Sequence, residues 1–209
     1  PQEHHDLMVR MRGSDAGLDA MGYAICCQWC LGYPEQALAR NREALALARE
    51  LDHPWSLVDV LCYGGCIFNS LRRDALTLRD DADELLRLSK ERGVPGWYAT
   101  GHCFQGEAAS MLGQVEEGIA LIREGLEAGH SMVILCQRPI HLRALAQAQA
   151  AAGQPEEALA TLDEALSMVE ETDGRHWEAD LHRVRAELLF AQDDEVGAEA
   201  SLHKAIEVA

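Results

Sequence analysis

The chain is poor in basic charge, in aromatic side chains and in long apolar runs, and each shortage removes a class of function. Eighteen Lys and Arg stand against 35 Asp and Glu among 209 residues, a formal charge of −17. A bare phosphate backbone would be repelled, which argues against nucleic acid as a partner. No apolar run approaches the ~20 residues of a membrane span, and no basic segment followed by an apolar one opens the sequence. We therefore expect a cytoplasmic chain with no membrane partner. Six prolines and 11 aromatics, against an abundance of Ala, Leu, Glu and Arg, point to helix rather than sheet. The phosphate loop, the dinucleotide glycine fingerprint and the nucleophile elbow are missing. Carboxylates are plentiful, but on faces expected to be solvated they have no reason to titrate abnormally. The expectation is a chain that is not an enzyme and has no cofactor and no metal ligand set.

What is present is repetition. Leu112-Gly113-Gln114-Val115-Glu116-Glu117-Gly118-Ile119 is echoed by Ala152-Gly153-Gln154-Pro155-Glu156-Glu157-Ala158-Leu159 and by Leu31-Gly32-Tyr33-Pro34-Glu35-Gln36-Ala37-Leu38. Weaker copies fall at Ser70–Leu76 and Asp193–Ala198, so units of roughly 40 residues recur along the chain. Midway between them lie Asp52-His53-Pro54-Trp55, Gly93-Val94-Pro95-Gly96-Trp97 and Asp173-Gly174-Arg175-His176-Trp177. Glycine suits the left-handed position past a helix end and proline the first turn of the next helix, so each unit reads as two helices and two turns. After Pro155, the apolar residues Ala158, Leu159, Leu162, Ala165, Leu166 and Val169 recur at threes and fours, which makes an amphipathic helix with a face to bury. The units run 14–52, 53–93, 94–130, 131–173 and 174–209, with 1–13 the remnant of a preceding one, all in a single domain. Lacking an initiator Met, and still helical in pattern at Ala209, the sequence reads as a piece of a longer protein.

These turns, a small residue and Gly followed by Glu-Glu-Ala, resemble tetratricopeptide repeats of the longer, roughly 40-residue kind. Leu31–Arg40 with Ala44–Ala48 and His53-Pro54, together with Arg175–Arg183 and Glu187-Leu188-Leu189, resemble more closely the C-terminal repeat region of certain bacterial multidomain proteins. Those proteins carry a class III adenylate or guanylate cyclase or kinase domain and an AAA-type ATPase domain. The resemblance implies an all-α, right-handed superhelical solenoid of about five helix-turn-helix repeats. Any cyclase or ATPase activity would belong to other domains.

Seven cysteines form an odd set with no secretory signal, which reads as reduced thiols. Cys26-Cys27-Gln28-Trp29-Cys30 could be drawn as a metal or redox motif. A redox Cys-x-x-Cys normally opens a helix after a strand, however, and structural zinc needs a second ligand pair. With Cys62, Cys66, Cys103 and Cys136 these residues are better read as small apolar side chains buried on first helices. His176, Glu178, Asp180 and His182 interleave at helical spacing on different faces and read as solvated pairs. Trp55, Trp97 and Trp177 occupy equivalent places and should close the gaps between units. His4 and His5 receive no role.

A stacked helical array leaves a concave surface, and such arrays bind peptides or protein elements. The family register, carried over from Gly32, Gly113, Gly153 and Asp193, turns Trp29, Glu107, Arg143, Gln147, Arg183 and Glu187 toward that groove. Residues 155–209 hold 15 acidic and four basic side chains, an acidic face able to steer a basic partner. The function expected is a protein-interaction or regulatory scaffold of a bacterial signalling ATPase or cyclase, its partner a protein, a peptide or a domain of the same parent chain. A small-ligand sensor is the alternative, and would need a closed polar pocket. Leu202, Ala205 and Ile206 on the last helix leave an apolar face through which copies of the chain could associate end to end.

Overall fold

The computed structural model describes residues 9, 15–93, 95–128 and 132–209, so the expected remnant unit 1–13, with His4 and His5, lies almost wholly outside the described residues. Among the described residues the structure is helical, with no strand. Helices α1 (Ala16–Cys30) and α2 (Pro34–Leu51) make the first pair. The next rod is α3 (Pro54–Val60), a π-helical turn (Leu61–Ile67) and α4 (Phe68–Arg72), and it pairs with α5 (Ala75–Arg92). The pairs α6 (Pro95–Met111) with α7 (Val115–Ala128) and α8 (Met132–Ala151) with α9 (Pro155–Thr172) follow. A short 3-10 turn (Arg175–Trp177) then leads into α10 (Glu178–Phe190) and α11 (Glu195–Val208).

The turn within every pair is made the same way. Gly32, Arg73, Gly113, Gly153 and Asp193 all adopt positive φ, from 57° to 89°, at positions 40 or 41 residues apart. In the second pair an arginine takes the place of glycine. The helices that follow are started by Pro34 and Pro155 at their first turns and by the Asp74 and Asp194 carboxylates, which accept from the backbone N–H of Thr77 and Gly197.

The second helix of each pair buries a narrow stripe. In α2 it is Ala37, Asn41, Ala44 and Ala48, in α5 Leu78, Ala82, Leu85 and Ser89, in α9 Ala158, Leu162, Ala165 and Val169, each stepping by four, three and four. First helices lie between neighbours and are buried on several sides: in α8 every residue from Ile140 to Ala146 is buried. Pair three is held backbone to backbone. A Cβ on Gly118 would stand 2.6 Å from the Gly106 carbonyl oxygen, and one on Gly125 would stand 2.6 Å from that of Ala99, so glycine alone permits this approach of α6 and α7.

Two buried clusters result, one centred on pairs one and two with α6, the other on pairs three to five. Trp177 packs against both. The array is curled enough that its fifth pair meets its first two: Trp177 reaches the first cluster, and Arg73 lies 3.4 Å from Glu187.

Some sequence expectations need correction. Cys62, Cys66 and Cys103 are buried, but Cys27, Cys30 and Cys136 are exposed, because the curl leaves an opening beside α1 rather than a helix against it. Trp97 is buried, whereas Trp55 is half exposed. Glu178 is buried and pairs with Arg175, and Asp180 pairs with two arginines, so neither is a solvated surface carboxylate. Among the described residues, no helix is long and apolar enough to cross a membrane.

Candidate functional site

The first helices face the inside of the curl, and their polar residues meet there. Arg143 of α8 is the hub. Its Nη2 donates to Glu107 Oε1 and to Ser70 Oγ, both at 2.7 Å, its Nη1 donates to Gln147 Oε1 at 2.8 Å, and its Nε stands 3.3 Å from Asp180 Oδ2. Ser70, Glu107, Arg143 and Asp180 come from four successive first helices, so one guanidinium ties pairs two to five together. Burial works to lower the Arg143 pKa, but Glu107, Asp180 and Glu187 outweigh it and hold the guanidinium above its ordinary value.

A second arginine extends the network outward. Arg183 Nη2 lies 2.7 Å from Asp180 Oδ1, its Nη1 donates to Glu187 Oε1 at 2.6 Å, and Glu187 in turn takes Arg73. Exposure rises along this path: the side chains of Arg143 and Glu107 are 6% and 5% exposed, those of Arg183, Glu187 and Arg73 35%, 49% and 58%. The inner pair is buried, and the outer residues meet solvent.

Above the network opens a groove of about 650 Å³. Arg73, Arg143, Asp180 and Arg183 form its polar wall, and Trp29, Leu71, Leu202 and Ile206 its apolar wall. Trp29 is steadied by the edge of Phe68, with ring centroids 5.7 Å apart at 87°. A smaller recess of about 190 Å³ adjoins it, lined by Ser70, Glu107, Ser110, Arg143 and Gln147 among others. One Glu107 oxygen, Oε2, is buried there without a hydrogen-bond partner.

All six residues singled out in the sequence thus lie in or beside one region. Trp29, Arg143 and Arg183 line the groove, Glu107 and Gln147 the recess, and Glu187 holds the outer arginines. Glu107 and Arg143 are inward members of the network rather than open contact residues. Leu202, Ala205 and Ile206, read as an end face, line the groove. The residues missed are Ser70, Arg73 and Asp180. Ser70 stands three residues before its turn, as Trp29 does before Gly32, so the same offset applied to the second unit finds it. Among the described residues, no three His, Cys, Asp or Glu side chains gather so as to hold a metal ion.

Histidine contributes little to this site. His141 is fully buried, neither ring nitrogen has a partner, and its ring meets Phe104 edge-on at 4.9 Å. Burial, with Arg143 and Arg138 nearby, pushes its pKa down to about 3, so it is a neutral packing residue.

No protein-family model matches the chain. It is 26% identical over 207 residues to an uncharacterised protein of Rhizobium meliloti (strain 1021), an alignment that takes in 94% of this chain but spans only 19% of that protein's length. Among solved structures it is similar to BtubC (BKLC) from P. vanneervenii, with a TM-score of 0.57 at 18% identity, covering 99% of this chain and 85% of that one. It is also similar to the apo form of RapI, with a TM-score of 0.56 at 12% identity, covering 97% and 87%. A Podospora anserina putative kinesin light chain with nearly identical TPR-like repeats gives 0.53 at 14% identity, covering 91% and 94%. With helices paired at a 40-residue period and these neighbours, the chain has the all-α fold of a tetratricopeptide-like repeat solenoid.

Proposed function

We propose that the chain is a non-catalytic protein-interaction module whose helical pairs act as one unit and take up a segment of a partner protein in the inner groove. The observation that carries this reading is the make-up of the groove, where an apolar wall faces Arg73 and Arg183, whose ion pairs are partly exposed. Arg73 is the least committed, being more than half exposed and 3.4 Å from Glu187. Exposed pairs of this length contribute about 1 kcal/mol or less, so an incoming carboxylate can displace Glu187 at little cost. An apolar side chain of the same segment would bury against Trp29, Leu202 and Ile206, while the acidic residues of 155–209 steer basic residues flanking it.

The module is further proposed to serve within a larger bacterial signalling protein, an AAA-type ATPase or nucleotide cyclase, with a domain of that same chain as one candidate partner. The resemblance of the turn sequences supports the ATPase or cyclase assignment, and the match to only 19% of the length of the Rhizobium relative supports a place within a larger protein.

Selection of a random phage-displayed peptide library on the purified chain tests the groove. Enriched peptides are measured by calorimetry against the unmodified chain, Trp29→Ala and Arg183→Glu. Binding weakened about tenfold or more in both variants supports the reading. Peptides that bind all three equally would refute it, and a metabolite retained in native mass spectrometry with no peptide enriched would favour the small-ligand alternative.

A further inference from the structure

Behind the groove, on the other side of Cys30 and Leu71, lies a second cavity of about 440 Å³. It sits where α1, the π turn, the start of α8 and the 3-10 turn before α10 converge, and its size is that of a small-molecule site. Four of the seven cysteines line it: Cys26, Cys27 and Cys30 from one turn of α1, and Cys136 from α8. Between them stand three aromatic rings, Tyr23, Tyr63 and Trp177.

Three observations narrow what such a cavity can take. The first is charge: in a chain of −17, no Lys, Arg, Asp or Glu among the described residues lines this wall. Burial pushes the Cys26 thiol up to about 12 and lowers the pKa of His176, so both remain uncharged near neutral pH. A charged ligand would lose its hydration there and find no counter-charge. The second is the lining itself. Sulfur and aromatic rings attract one another, and Tyr23 and Tyr63 already lie tilted together at 4.6 Å, presenting ring surface. The third is the π turn. Leu61, Cys62, Gly64, Gly65, Cys66 and Ile67 of this turn are buried in the core, and Tyr63 and Ile67 border the cavity. Such turns are rare in helices and concentrate at functional sites.

One buried amide stands in the cavity wall. Gln137, 2% exposed, lines the cavity, and its amide is held by sulfur and hydroxyl partners: Nε2 donates to Cys62 Sγ at 3.3 Å, Oε1 accepts from Thr100 Oγ1 at 3.4 Å and from Cys62 Sγ at 3.7 Å, and the Tyr63 hydroxyl also bonds it. Sulfur is a poor acceptor, so the amide can turn to a better partner. We propose that the cavity lined by Cys26, Cys27, Cys30 and Cys136 binds an uncharged aromatic small molecule bearing one hydrogen-bonding group, which Gln137 engages. This site shares Cys30 and Leu71 with the groove but does not rest on the peptide-binding reading.

Phenyl-naphthylamine, a neutral aromatic amine that fluoresces in apolar surroundings, is the probe. Titration should saturate at one probe per chain with micromolar affinity. Saturating probe should slow alkylation of Cys27, Cys30 and Cys136 by iodoacetamide about tenfold, read peptide by peptide in a mass spectrometer. Buried Cys62, Cys66 and Cys103 should stay unlabelled throughout, which certifies the fold. Cys136→Trp, made at an exposed position, should fill the cavity and weaken binding about tenfold with helical circular dichroism unchanged, whereas Arg183→Glu should leave it untouched. Absence of saturable binding, or binding that neither protects these thiols nor responds to Cys136→Trp, overturns the proposal.

Discussion

Replacing Arg143 by Met tests whether the buried network holds the array together. The change keeps an unbranched apolar stem and removes the guanidinium, leaving the Glu107 carboxylate, 5% exposed, with Ser70 as its one remaining partner from the network. Removing one member of a buried ion pair costs about 3–5 kcal/mol, because the charge left behind stays desolvated. Asp180, 23% exposed, keeps Arg183 and solvent and adds little. Glu107→Leu alone should cost less, about 2 kcal/mol, since Arg143 keeps Asp180, Ser70 and Gln147. The double variant, Arg143→Met with Glu107→Leu, restores balance and should lie within about 1–2 kcal/mol of the unmodified chain, a coupling of at least about 2 kcal/mol. The assay is urea denaturation followed by helical circular dichroism. Because the hub joins pairs two to five, each single variant should also lower the denaturant slope, as a repeat array whose units uncouple unfolds less cooperatively. Single variants each losing under about 1 kcal/mol, or losses that simply add, would refute the account.

Three further outcomes follow from particular contacts. Gly118→Ala should destabilise by about 3 kcal/mol in the same assay, since its Cβ would meet the Gly106 carbonyl oxygen at 2.6 Å and the Ser110 nitrogen at 2.9 Å. Arg73→Gly should keep or raise stability by up to about 1 kcal/mol, because an L side chain at φ 57° is strained, while weakening any peptide bound in the groove; a clear loss of stability would show that the Glu187 pair matters more than the backbone. Asp59 is pushed up to about 7, chiefly by burial and then by Asp19 beside it. The folded state therefore holds a proton that the unfolded chain has released, and this stability, full below the ordinary pKa of 3.8, is lost as the pH rises through 7. Between about pH 6.5 and 8 the loss is about 0.8 kcal/mol. Asp59→Asn should remove that part of the decline, measured as melting temperature across the interval; an unchanged decline would count against the shift.

The parts of this structure written in the sequence are those fixed by local backbone chemistry. Gly32, Gly113 and Gly153 mark left-handed turns because glycine bears positive φ without strain, and the 40-residue spacing then locates Arg73 at the same place despite its side chain. The four-three-four stripe of α9 is legible for the same reason, since 3.6 residues per turn decides which positions share a face. What could not be read depends on how far the array curls. Period alone assigns Cys27, Cys30 and Cys136 to first helices, but their exposure follows from an opening set by the approach of Trp177 to α1. The closure of Arg143 on Asp180 is similar: 37 residues apart, the two look like members of separate solvated faces until stacking brings them to 3.3 Å. The π turn carries no comparable sequence mark beyond Gly64 and Gly65. A Cβ on Gly64 would stand 2.7 Å from Asn41 Oδ1, so the pair records a close approach rather than a helix type.

The gradient of exposure along the arginine network suggests how stability and recognition are kept apart in this fold. A groove built wholly of buried ion pairs would be rigid but unable to answer a ligand, since each new contact would have to break a desolvated pair. One built wholly of exposed pairs would leave the curl unsupported, because such pairs contribute little. On the proposed reading Glu107 and Arg143 take the first role and Arg73, Arg183 and Glu187 the second, with Asp180 bonded both to the inner Arg143 and to the outer Arg183. Asp180 is thus the residue through which an event at the rim can reach the hub. Replacing it by Asn keeps the hydrogen-bonding shape and removes the charge, so it should weaken both ion pairs at once. Stability should fall by about 1–2 kcal/mol, less than at Arg143, because the site remains partly solvated. If the rim and hub are linked in this way, peptide affinity and urea stability should fall together in Asp180→Asn, whereas in Arg73→Gly affinity alone should fall. Affinity unchanged in Asp180→Asn would mean that the outer arginines act without the hub, and that the network serves stability alone.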